Sequence, residues 1–532
     1  MTTQLPIAII GAGPVGLAAA AHLVERDLPF VLLESGNCIG TNALAWGHVQ
    51  MFSPWRYNMD RAAIRLLEQT GWQAPDLDAF PTGRALVEQY LAPLAAHSAI
   101  APHLRLGARV VAVARAGLDK MKNAGRDQAP FALYIAGEGG EDLLHAAAVI
   151  DASGTYQTPN PLGACGIPAP GERALADKIV YGIPDVLGAA RERYAGRRVL
   201  VAGSGHSAFN VVLDLATLAE EVPGTTITWV VRRAAMGQAY GGGTNDALPA
   251  RGALGSRVQA LVERGIIRLI TNWHTDRLST TADGIAVAAG EQTLTPVDEL
   301  IVATGLRPDL AMLGELRLGL DPAVEAPTAL APLIDPNYHS CGTVRPHGVD
   351  ELAHPEPGLY IIGMKSYGRA PTFLLATGYE QARSVAAALA GDWEAARRVE
   401  LELPETGVCS TPTADGGAAC CDGRTTAPAA FASLIEIDHT PTTRQTVPVA
   451  FTSLIDLTPA VAAVDATTSC CAPAVQATCC APQEKGACSG TSLDASAGTA
   501  FCCQGALWKH RSRHPTARRD RCHGIVASTT AG

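Results

Sequence analysis

The sequence predicts an α/β fold made of two Rossmann-like, three-layer domains, the second inserted in the first, followed by a disordered cysteine-rich tail. A strand, a glycine-rich turn and a helix follow one another twice, at residues 5–24 and 197–221. After about Pro404 the chain becomes rich in Thr, Ala, Pro, Gly, Ser and Cys, which is typical of a tail without a packed core. We therefore expect the first domain to span 1–165 and 331–400, the inserted domain 166–330, and the tail 401–532.

Length and composition restrict the function classes. The 532 residues suggest two or three domains, and the net charge of -10 argues against nucleic acid or an anionic membrane as a partner. No apolar run reaches the ~18 residues of a membrane span. The sequence starts MTTQLP and enters a strand directly, so we expect no signal peptide and a cytoplasmic location. Eleven of the 14 cysteines fall between Cys409 and Cys522, as expected for a reduced body with a thiol-rich tail.

The first glycine turn has the full context of a dinucleotide-binding motif. It reads Gly11, Ala12, Gly13, Pro14, Val15 and Gly16 between a strand and a helix. Gly11 permits the tight turn, Gly13 lets a pyrophosphate approach, and Gly16 allows the helix to pack closely on the strand. Glu34 ends the following strand, where an acid can bind ribose hydroxyls. We expect a dinucleotide at this turn.

The second turn repeats the motif with Ala in the last position, an accepted variant. It reads Gly203, Ser204, Gly205, His206, Ser207 and Ala208. The strand after it ends in Arg232 and Arg233 where the first unit has an acid, and guanidinium groups suit a 2′-phosphate. The pattern favours NADPH over NADH; the alternative is an exposed strand end. His206 is interpreted as a turn residue in solvent, not as a catalytic base.

Two such turns about 190 positions apart indicate one flavin and one nicotinamide, with hydride passing between them. At this point the chain resembles the flavoproteins with two dinucleotide-binding domains, and among them flavin-containing monooxygenases. The resemblance covers about residues 5–392 and is carried by GAGPVGLAAA, VIDASG at 149–154, GSGHSA, LIVATG at 300–305, YIIGM at 360–364 and GYEQ at 378–381. It implies FAD at the first turn and NADPH at the second, with further cofactor contacts from Ser53, Trp55, Arg56, Gly154, Thr304, Gly305, Gly363 and Thr372.

More narrowly, the chain resembles flavoproteins encoded beside arsenic-resistance genes. The matching segments are MFSPWRYNMD, GGGTNDALPARG, YHSCGTVRPHG, GMKSYGRAPTFLLATGYEQ and LPETGVCS. This resemblance implies a trivalent arsenical or a related small soft substrate. The chain also departs from the monooxygenases: their FxGxxxHxxx(Y/F/W) motif has no counterpart at 178–185, where the expected His is absent. The departure leaves the oxygen-inserting step open.

Several polar side chains are candidates to tune a flavin in a monooxygenase. The predicted catalytic residues are Asn58, Asp246, Cys341 and Lys365, with Asn245 and Arg369 beside them. Cys341 lies in a loop with His339, Arg345 and His347, where cationic neighbours lower a thiol pKa; the alternative is a buried structural cysteine. A disulfide reductase would need CxxC or CxxxxC beside the flavin. Neither spacing occurs in residues 1–400, and Cys38 has no such partner.

The tail carries vicinal cysteine pairs. Adjacent thiolates chelate soft ions such as trivalent arsenic, copper(I) or mercury(II), so we expect metal ligands at Cys420, Cys421, Cys470, Cys471, Cys479 and Cys480. The alternative is a disordered extension with incidental pairs. Three functions follow: an NADPH-dependent monooxygenase-like enzyme, an NADPH-dependent metal or disulfide reductase, and a non-enzymatic metalloid-binding protein.

Overall fold

The computed structural model describes residues 4–240, 249–338, 344–371 and 373–401, and it confirms the predicted α/β class. The strands are β1 (Ile7–Ile10), β2 (Phe30–Leu33), β3 (Leu104–Arg105), β4 (Arg109–Arg115), β5 (Phe131–Gly137), β6 (Gly140–Ala146), β7 (Ala148–Asp151), β8 (Ile179–Tyr181), β9 (Arg198–Ala202), β10 (Thr226–Val230), β11 (Ile267–Ile270), β12 (Arg277–Thr281), β13 (Gly284–Ala289), β14 (Gln292–Thr293), β15 (Glu299–Val302) and β16 (Leu359–Ile361). The helices are α1 (Pro14–Val24), α2 (Thr41–Ala45), α3 (Arg61–Glu68), α4 (Gly83–Leu86), α5 (Ala92–Ala95), α6 (Arg191–Tyr194), α7 (His206–Glu221), α8 (Pro249–Glu263), α9 (Ala331–Ile334), α10 (Leu375–Leu389) and α11 (Trp393–Arg397).

The first sheet has the order β16-β7-β1-β2-β3, and its strands are parallel. All four residues of β1 and of β7 are buried, because parallel sheets are covered on both faces. Helix α1 covers one face together with α10, and the Ala-rich sequence of α1 allows this close approach. The antiparallel sheet β4-β5-β6 packs on the other face through Phe131, Leu133 and Ile135.

The second sheet has the order β11-β10-β9-β15-β8 and is also parallel. Helix α7 packs on it through Phe209, Val212 and Leu215, and the antiparallel sheet β12-β13-β14 covers the opposite face. Every strand of this sheet lies between β7 and β16 in sequence, whereas β7 and β16 are neighbours in the first sheet. The second domain is therefore inserted in the first, as predicted; the boundary residues themselves stay predictions.

One predicted helix is irregular. The pattern over 82–97 predicts a single amphipathic helix, whereas α4 is followed by π-helical Val87–Leu91 and then by α5. The reason is Pro93, which has no N–H to donate to the carbonyl of Gln89. The indole N–H of Trp72 donates to that carbonyl instead, at 2.9 Å. Among the helices in the described ranges, none is long and apolar enough to cross a membrane.

Candidate functional site

The first glycine turn, with the start of α1, forms what we call the first cradle. Gly11 follows β1 with φ of +99°, and a Cβ there would lie 2.9 Å from the carbonyl oxygen of Ala152. A Cβ on Gly16 would overlap the carbonyl oxygen of Gly11. Both positions therefore require glycine, one for its backbone conformation and one for the contact of helix and strand.

Gly13 differs, because a Cβ there would meet no atom within 4 Å. It is the N-cap of α1, and no side chain caps that helix. The open space above Gly13 and the uncapped N–H groups of the helix together form a binding site for an anionic phosphate. Pro14 begins the helix, where its missing N–H is tolerated. These features fit the pyrophosphate of FAD.

Glu34 is 9% exposed and lies directly after β2, as predicted. Its two carboxylate oxygens accept hydrogen bonds from the N–H groups of Ala12 and Gly36, each at 2.8 Å. The amides of Gly107 and Ala108 donate to the carbonyls of Gly36 and Glu34, at 2.9 and 2.8 Å. Gly107 and Ala108 also line a cavity of about 600 Å³, together with Asn37, Arg105, Ile135 and Asp142.

The second glycine turn, with the start of α7, forms the second cradle. Gly203 has φ of +131°, and a Cβ there would overlap the carbonyl oxygen of Ala303. Trp229, which the sequence did not single out, donates its indole N–H to the carbonyl of Gly203 at 2.7 Å. A Cβ on Gly205 meets nothing within 4 Å, and Gly205 is the N-cap of α7 without a side-chain cap. The second cradle thus repeats the open anion site of the first.

Arg232 and Arg233 lie beside the second cradle, because β10 pairs with β9 up to the contact of Val230 with Ala202. Both side chains are exposed. The guanidinium of Arg232 donates to the carbonyl of Ala164 at 3.1 Å. This position suits the 2′-phosphate of NADPH, and the role of the two residues stays a prediction. Ser204 and His206 are half-buried in the turn, and Ser207 is exposed.

An aromatic contact joins the two domains at the cradles. The ring of Phe52, from the first domain, lies 5.2 Å from the ring of His206 at the start of α7. On its other side His206 contacts Phe209, with ring centroids 5.9 Å apart. The loop that carries Phe52 therefore lies at the second cradle, and it brings the first domain into contact with the start of α7.

The same loop is braced by Asn58. Its Nδ2 donates to the carbonyls of Ser53 and Pro54 at 2.7 and 3.0 Å, and its Oδ1 accepts from Ser53 Oγ at 2.9 Å. The hydroxyl of Tyr379, on α10, donates to the backbone carbonyl of Asn58 at 2.8 Å. Trp55 is buried within this loop. The amide of Asn58 is thus engaged in shaping the loop, and a direct role at a flavin stays a prediction.

Two further predicted residues have ionic partners. Arg56 forms an ion pair with Asp78 in which both side chains are exposed. Lys365 is buried, and its Nζ donates to Asp151 Oδ2 at 2.7 Å and to Ser153 Oγ at 3.1 Å. Asp151 ends β7, so this pair lies beside the segment through which the chain leaves the first domain. Lys365 therefore holds Asp151 and Ser153 at the end of β7. A catalytic role for Lys365 stays a prediction.

The two connections between the domains are bonded to each other. The Asn160 N–H donates to the carbonyl of Gly305 at 2.9 Å, and Thr304 Oγ1 donates to the carbonyl of Asn160 at 2.9 Å. Gly154 has φ of +71°, and nothing lies within 4 Å of a Cβ built there. Gly154 therefore lies just after β7, and Thr304 and Gly305 lie just after β15, at the two connections between the domains.

Among the remaining predicted residues, Arg369 forms an ion pair with Glu325 at 2.9 Å. Gly363 lies just after β16, with a φ of +71° and a Cβ position 3.3 Å from Val15 in the first cradle. The others lie outside the described residues: Asn245, Asp246, Cys341, Thr372, Cys420, Cys421, Cys470, Cys471, Cys479 and Cys480. Among the residues that are described, no group of three or more His, Cys, Asp or Glu side chains could hold a metal ion.

Comparisons with known proteins agree with the two cradles. The sequence model of the family described as "Pyridine nucleotide-disulphide oxidoreductase" matches residues 5–325. A ferredoxin–NADP reductase of Salinispora tropica is 28% identical over 320 residues, which cover 60% of this chain and 79% of that protein. The indole-3-pyruvate monooxygenase YUCCA1 of Oryza sativa is 31% identical over 214 residues, 39% of this chain and 44% of its own length. The structure of the bacillithiol disulfide reductase Bdr (YpdA) from Bacillus cereus matches with a TM-score of 0.53 at 18% identity, over 73% of this chain and 99% of that one.

Proposed function

Because the chain belongs to the pyridine nucleotide-disulphide oxidoreductase family, we propose that it is an NADPH-dependent flavoprotein monooxygenase acting on a small soft substrate. Family membership confirms the predicted enzyme class, a flavin-dependent oxidoreductase, and its cofactors FAD and NADP(H). The oxygen-inserting reaction and the substrate are the proposed part. They go beyond the comparisons, because proteins named as reductases and proteins named as monooxygenases both resemble this chain.

The observation that carries the proposal is the pairing of two open cradles with the lack of a cysteine pair. The contact of Phe52 with His206 brings the first domain to the second cradle. We infer that hydride passes from NADPH in the second cradle to a flavin held by the first. The family's disulfide reductases pass electrons on through two cysteines close in sequence. In residues 1–400 the cysteines are Cys38, Cys165 and Cys341, too far apart for such a motif. We infer that electrons leave the flavin to a molecule that reaches the ring directly, and dioxygen is small enough to do so.

The protein's own contribution is to orient the cofactors. The Asn58 and Tyr379 bonds fix the loop that carries Phe52 and Trp55, and the connection between Asn160 and Gly305 fixes the domain crossing. Flavin, when bound, accepts hydride and activates oxygen. In the overall reaction NADPH supplies two electrons, one oxygen atom is transferred to the substrate, and the other leaves as water. A thiol, sulfide or trivalent arsenical supplies the lone pair that receives the oxygen atom.

Trivalent arsenic is the substrate we propose first, on the basis of the segments shared with arsenic-resistance flavoproteins. Purified FAD-loaded protein, mixed with NADPH and arsenite in air, is expected to show bleaching of the flavin band at about 450 nm and oxygen uptake that arsenite stimulates without matching hydrogen peroxide release. Arsenate should appear in proportion to the oxygen consumed. Oxygen uptake that yields only peroxide with arsenite and with methylated arsenicals would contradict the oxygen-inserting step, while leaving the flavoenzyme assignment intact.

A reductase is the second candidate, favoured by the similarity to a ferredoxin–NADP reductase over 79% of that protein. Such an enzyme would pass electrons from NADPH to an external acceptor without oxygen. Under argon, NADPH oxidation with an added iron–sulfur protein, a disulfide or a metal ion as acceptor tests it. Sustained anaerobic turnover would favour the reductase, whereas a single round of flavin reduction that stops until air is admitted would favour the monooxygenase.

We also propose that the tail cysteines capture the soft substrate, a role separate from catalysis. A variant ending at Pro404 removes Cys420 and all later pairs while keeping the described body. The full chain is expected to bind arsenite more tightly than this variant, and both should have the same rate of flavin reduction by NADPH. Equal arsenite affinity in the two proteins would refute a role of the tail in capture. A non-enzymatic metalloid-binding protein would show arsenite binding but no flavin bleaching by NADPH.

A further inference from the structure

A buried polar network lies behind the turn that contacts the first cradle. Gln381, fully buried on α10, accepts the N–H of Gly363 on its Oε1 at 2.7 Å. Its Nε2 lies 2.9 Å from Ser366 Oγ and 2.9 Å from Nε2 of His347. Ser366 Oγ in turn donates to the carbonyl of Gly363 at 2.7 Å. Both backbone polar groups of Gly363 are therefore held by this network, directly or through one hydroxyl.

The network determines the protonation of His347. Since the Oε1 of Gln381 must accept from Gly363, its Nε2 is a pure donor toward His347. The ring Nε2 must then be the acceptor, and the protonated Nδ1 donates to the carbonyl of Arg345 at 3.1 Å. A proton on both ring nitrogens would place two donors against each other at 2.9 Å. The network is complete only while His347 is neutral.

The turn held by this network touches the first cradle. Gly363 begins the 3-10 helix Gly363–Tyr367, and its Cβ position is 3.3 Å from Val15 in the first turn of α1. Gly378, on α10, is closer still to that residue, with a Cβ position 2.6 Å from Val15 Cγ2. If the Gly363 turn moves, Val15 and the start of α1 must therefore move with it.

We propose that His347 and Gln381 are positioning residues for the flavin: they hold the Gly363 turn against the first cradle and make the flavin's surroundings depend on the protonation of His347. The inference rests on the cofactor part of the proposed function, FAD in the first cradle, and not on oxygen insertion. It adds a pH-sensitive element that neither the glycine motifs nor the family membership contains.

Burial is the main reason that His347 is neutral. Burial lowers the pKa of His347 below its ordinary value of 6.5, and the positive charge of Arg345 lowers it further. The hydrogen bond to the Arg345 carbonyl and the carboxylates of Glu351 and Glu380 act in the opposite direction. The ring of Tyr367 packs 5.6 Å from the imidazole and contributes no charge. We therefore expect the proton to be taken up below pH 6.5.

Three variants of the FAD-loaded full chain test the proposal through the flavin spectrum. In the wild type, a pH titration should show a reversible shift of the flavin absorption band with a midpoint below pH 6.5. His347→Gln, which can still accept from Gln381, should keep FAD bound and lose this shift. Gln381→Glu places a carboxylate beside the imidazole and favours its protonated form, so the midpoint should rise above 6.5. His347→Leu leaves a buried donor on Gln381 unsatisfied, and the FAD dissociation constant should rise about tenfold.

Ser384→Ala is the matched control, since it breaks buried hydrogen bonds on the same helix but away from the turn. Ser384 Oγ accepts from the Val349 N–H at 2.9 Å and donates to the Ala396 carbonyl at 2.6 Å. This variant should lower thermal stability and leave the FAD spectrum and its pH titration unchanged. If Gln381→Glu titrates as the wild type does, or if Ser384→Ala changes the spectrum as much as His347→Leu, the positioning role is wrong. A protein that retains no FAD at all would instead contradict the assignment of the first cradle.

Discussion

Gly→Ala substitutions, each of which adds one methyl group, should separate the glycines that each cradle needs for folding from those that it needs for binding. In the first cradle, Gly16→Ala places a Cβ into the carbonyl oxygen of Gly11, a backbone atom that cannot rotate away. Overpacking typically costs about 1–3 kcal/mol, and more where backbone must move, against a total stability of about 5–15 kcal/mol. Gly13→Ala meets no protein atom within 4 Å, and its φ of -83° suits alanine. We expect Gly13→Ala to fold almost as the wild type does and Gly16→Ala to be clearly destabilised.

The second cradle offers the same pair of variants. Gly203→Ala overlaps the carbonyl oxygen of Ala303 and requires φ of +131°, which is strained for any residue with a side chain. Gly205→Ala has open space and an extended backbone with φ of -94°. Its methyl group lies where a phosphate must approach the chain. An overlap worth about 1–3 kcal/mol there weakens nucleotide binding about 5- to 150-fold.

The assay measures FAD content and the KM for NADPH, to show whether each variant loses one nucleotide and keeps the other. Gly13→Ala should purify with little FAD and regain the flavin only at an FAD concentration about 5- to 150-fold higher than the wild type needs. Gly205→Ala should keep its full FAD content and melting temperature, and only its KM for NADPH in flavin reduction should rise. The reasoning is refuted if Gly205→Ala loses FAD, or if Gly13→Ala binds FAD with wild-type affinity.

Three further predictions concern charge. Replacing Arg232 and Arg233 together by Ala should lower the preference for NADPH over NADH in flavin reduction about 10- to 150-fold, since hydrogen bonds to charged groups contribute about 1.5–3 kcal/mol. An unchanged ratio would mean that other residues bind the 2′-phosphate. Burial lowers the pKa of His22, yet its ion pair with Asp60 at 3.0 Å outweighs this and raises the pKa from 6.5 to about 9. This stabilisation is complete below pH 6.5 and is lost as pH rises through about 9, so Asp60→Asn, which can still cap α3, should flatten the decline of melting temperature between these values. Lys365→Met leaves the buried carboxylate at the end of β7 unpaired and should lower the free energy of unfolding by about 3–5 kcal/mol; a loss under about 1 kcal/mol in denaturant titration would contradict the buried pair.

The sequence predicts those parts of the site whose geometry is local. Gly11, Gly13 and Gly16 are constrained by a turn of six residues, so their spacing alone predicts the first cradle and the place of Glu34. The insertion of one domain in the other follows from the same local signals, because each unit closes with a short strand ending in small residues. The pattern over 82–97 predicts a helix correctly but cannot show that Trp72 would complete the bond that Pro93 leaves open.

The polar contacts around the cradles could not be predicted, because their partners are far apart in the chain. Lys365 and Asp151 are separated by 214 positions, and Tyr379 and Asn58 by 321. The sequence marks Lys365 and Asn58 as polar residues in suitable segments, which is why both were expected near a flavin. It gives no sign that their polar atoms are engaged with protein groups. Trp229 could have been found from the sequence, because it is a large aromatic residue in the strand that follows the second glycine turn.

These long-range contacts join the two halves of the first domain, and this has a consequence for how the flavin site forms. Strand β16 pairs with β7, and the Arg115 and Arg126 guanidinium groups bind Glu356 across 241 and 230 positions. None of these bonds can form until the inserted domain has been synthesised and the chain has returned, because each closes a loop that contains that domain. The Gly363 turn and α10 reach the first cradle only in that step. FAD affinity therefore measures closure of the whole first domain, so a variant that loosens the return segment far from the cradle should lose flavin before the inserted domain unfolds.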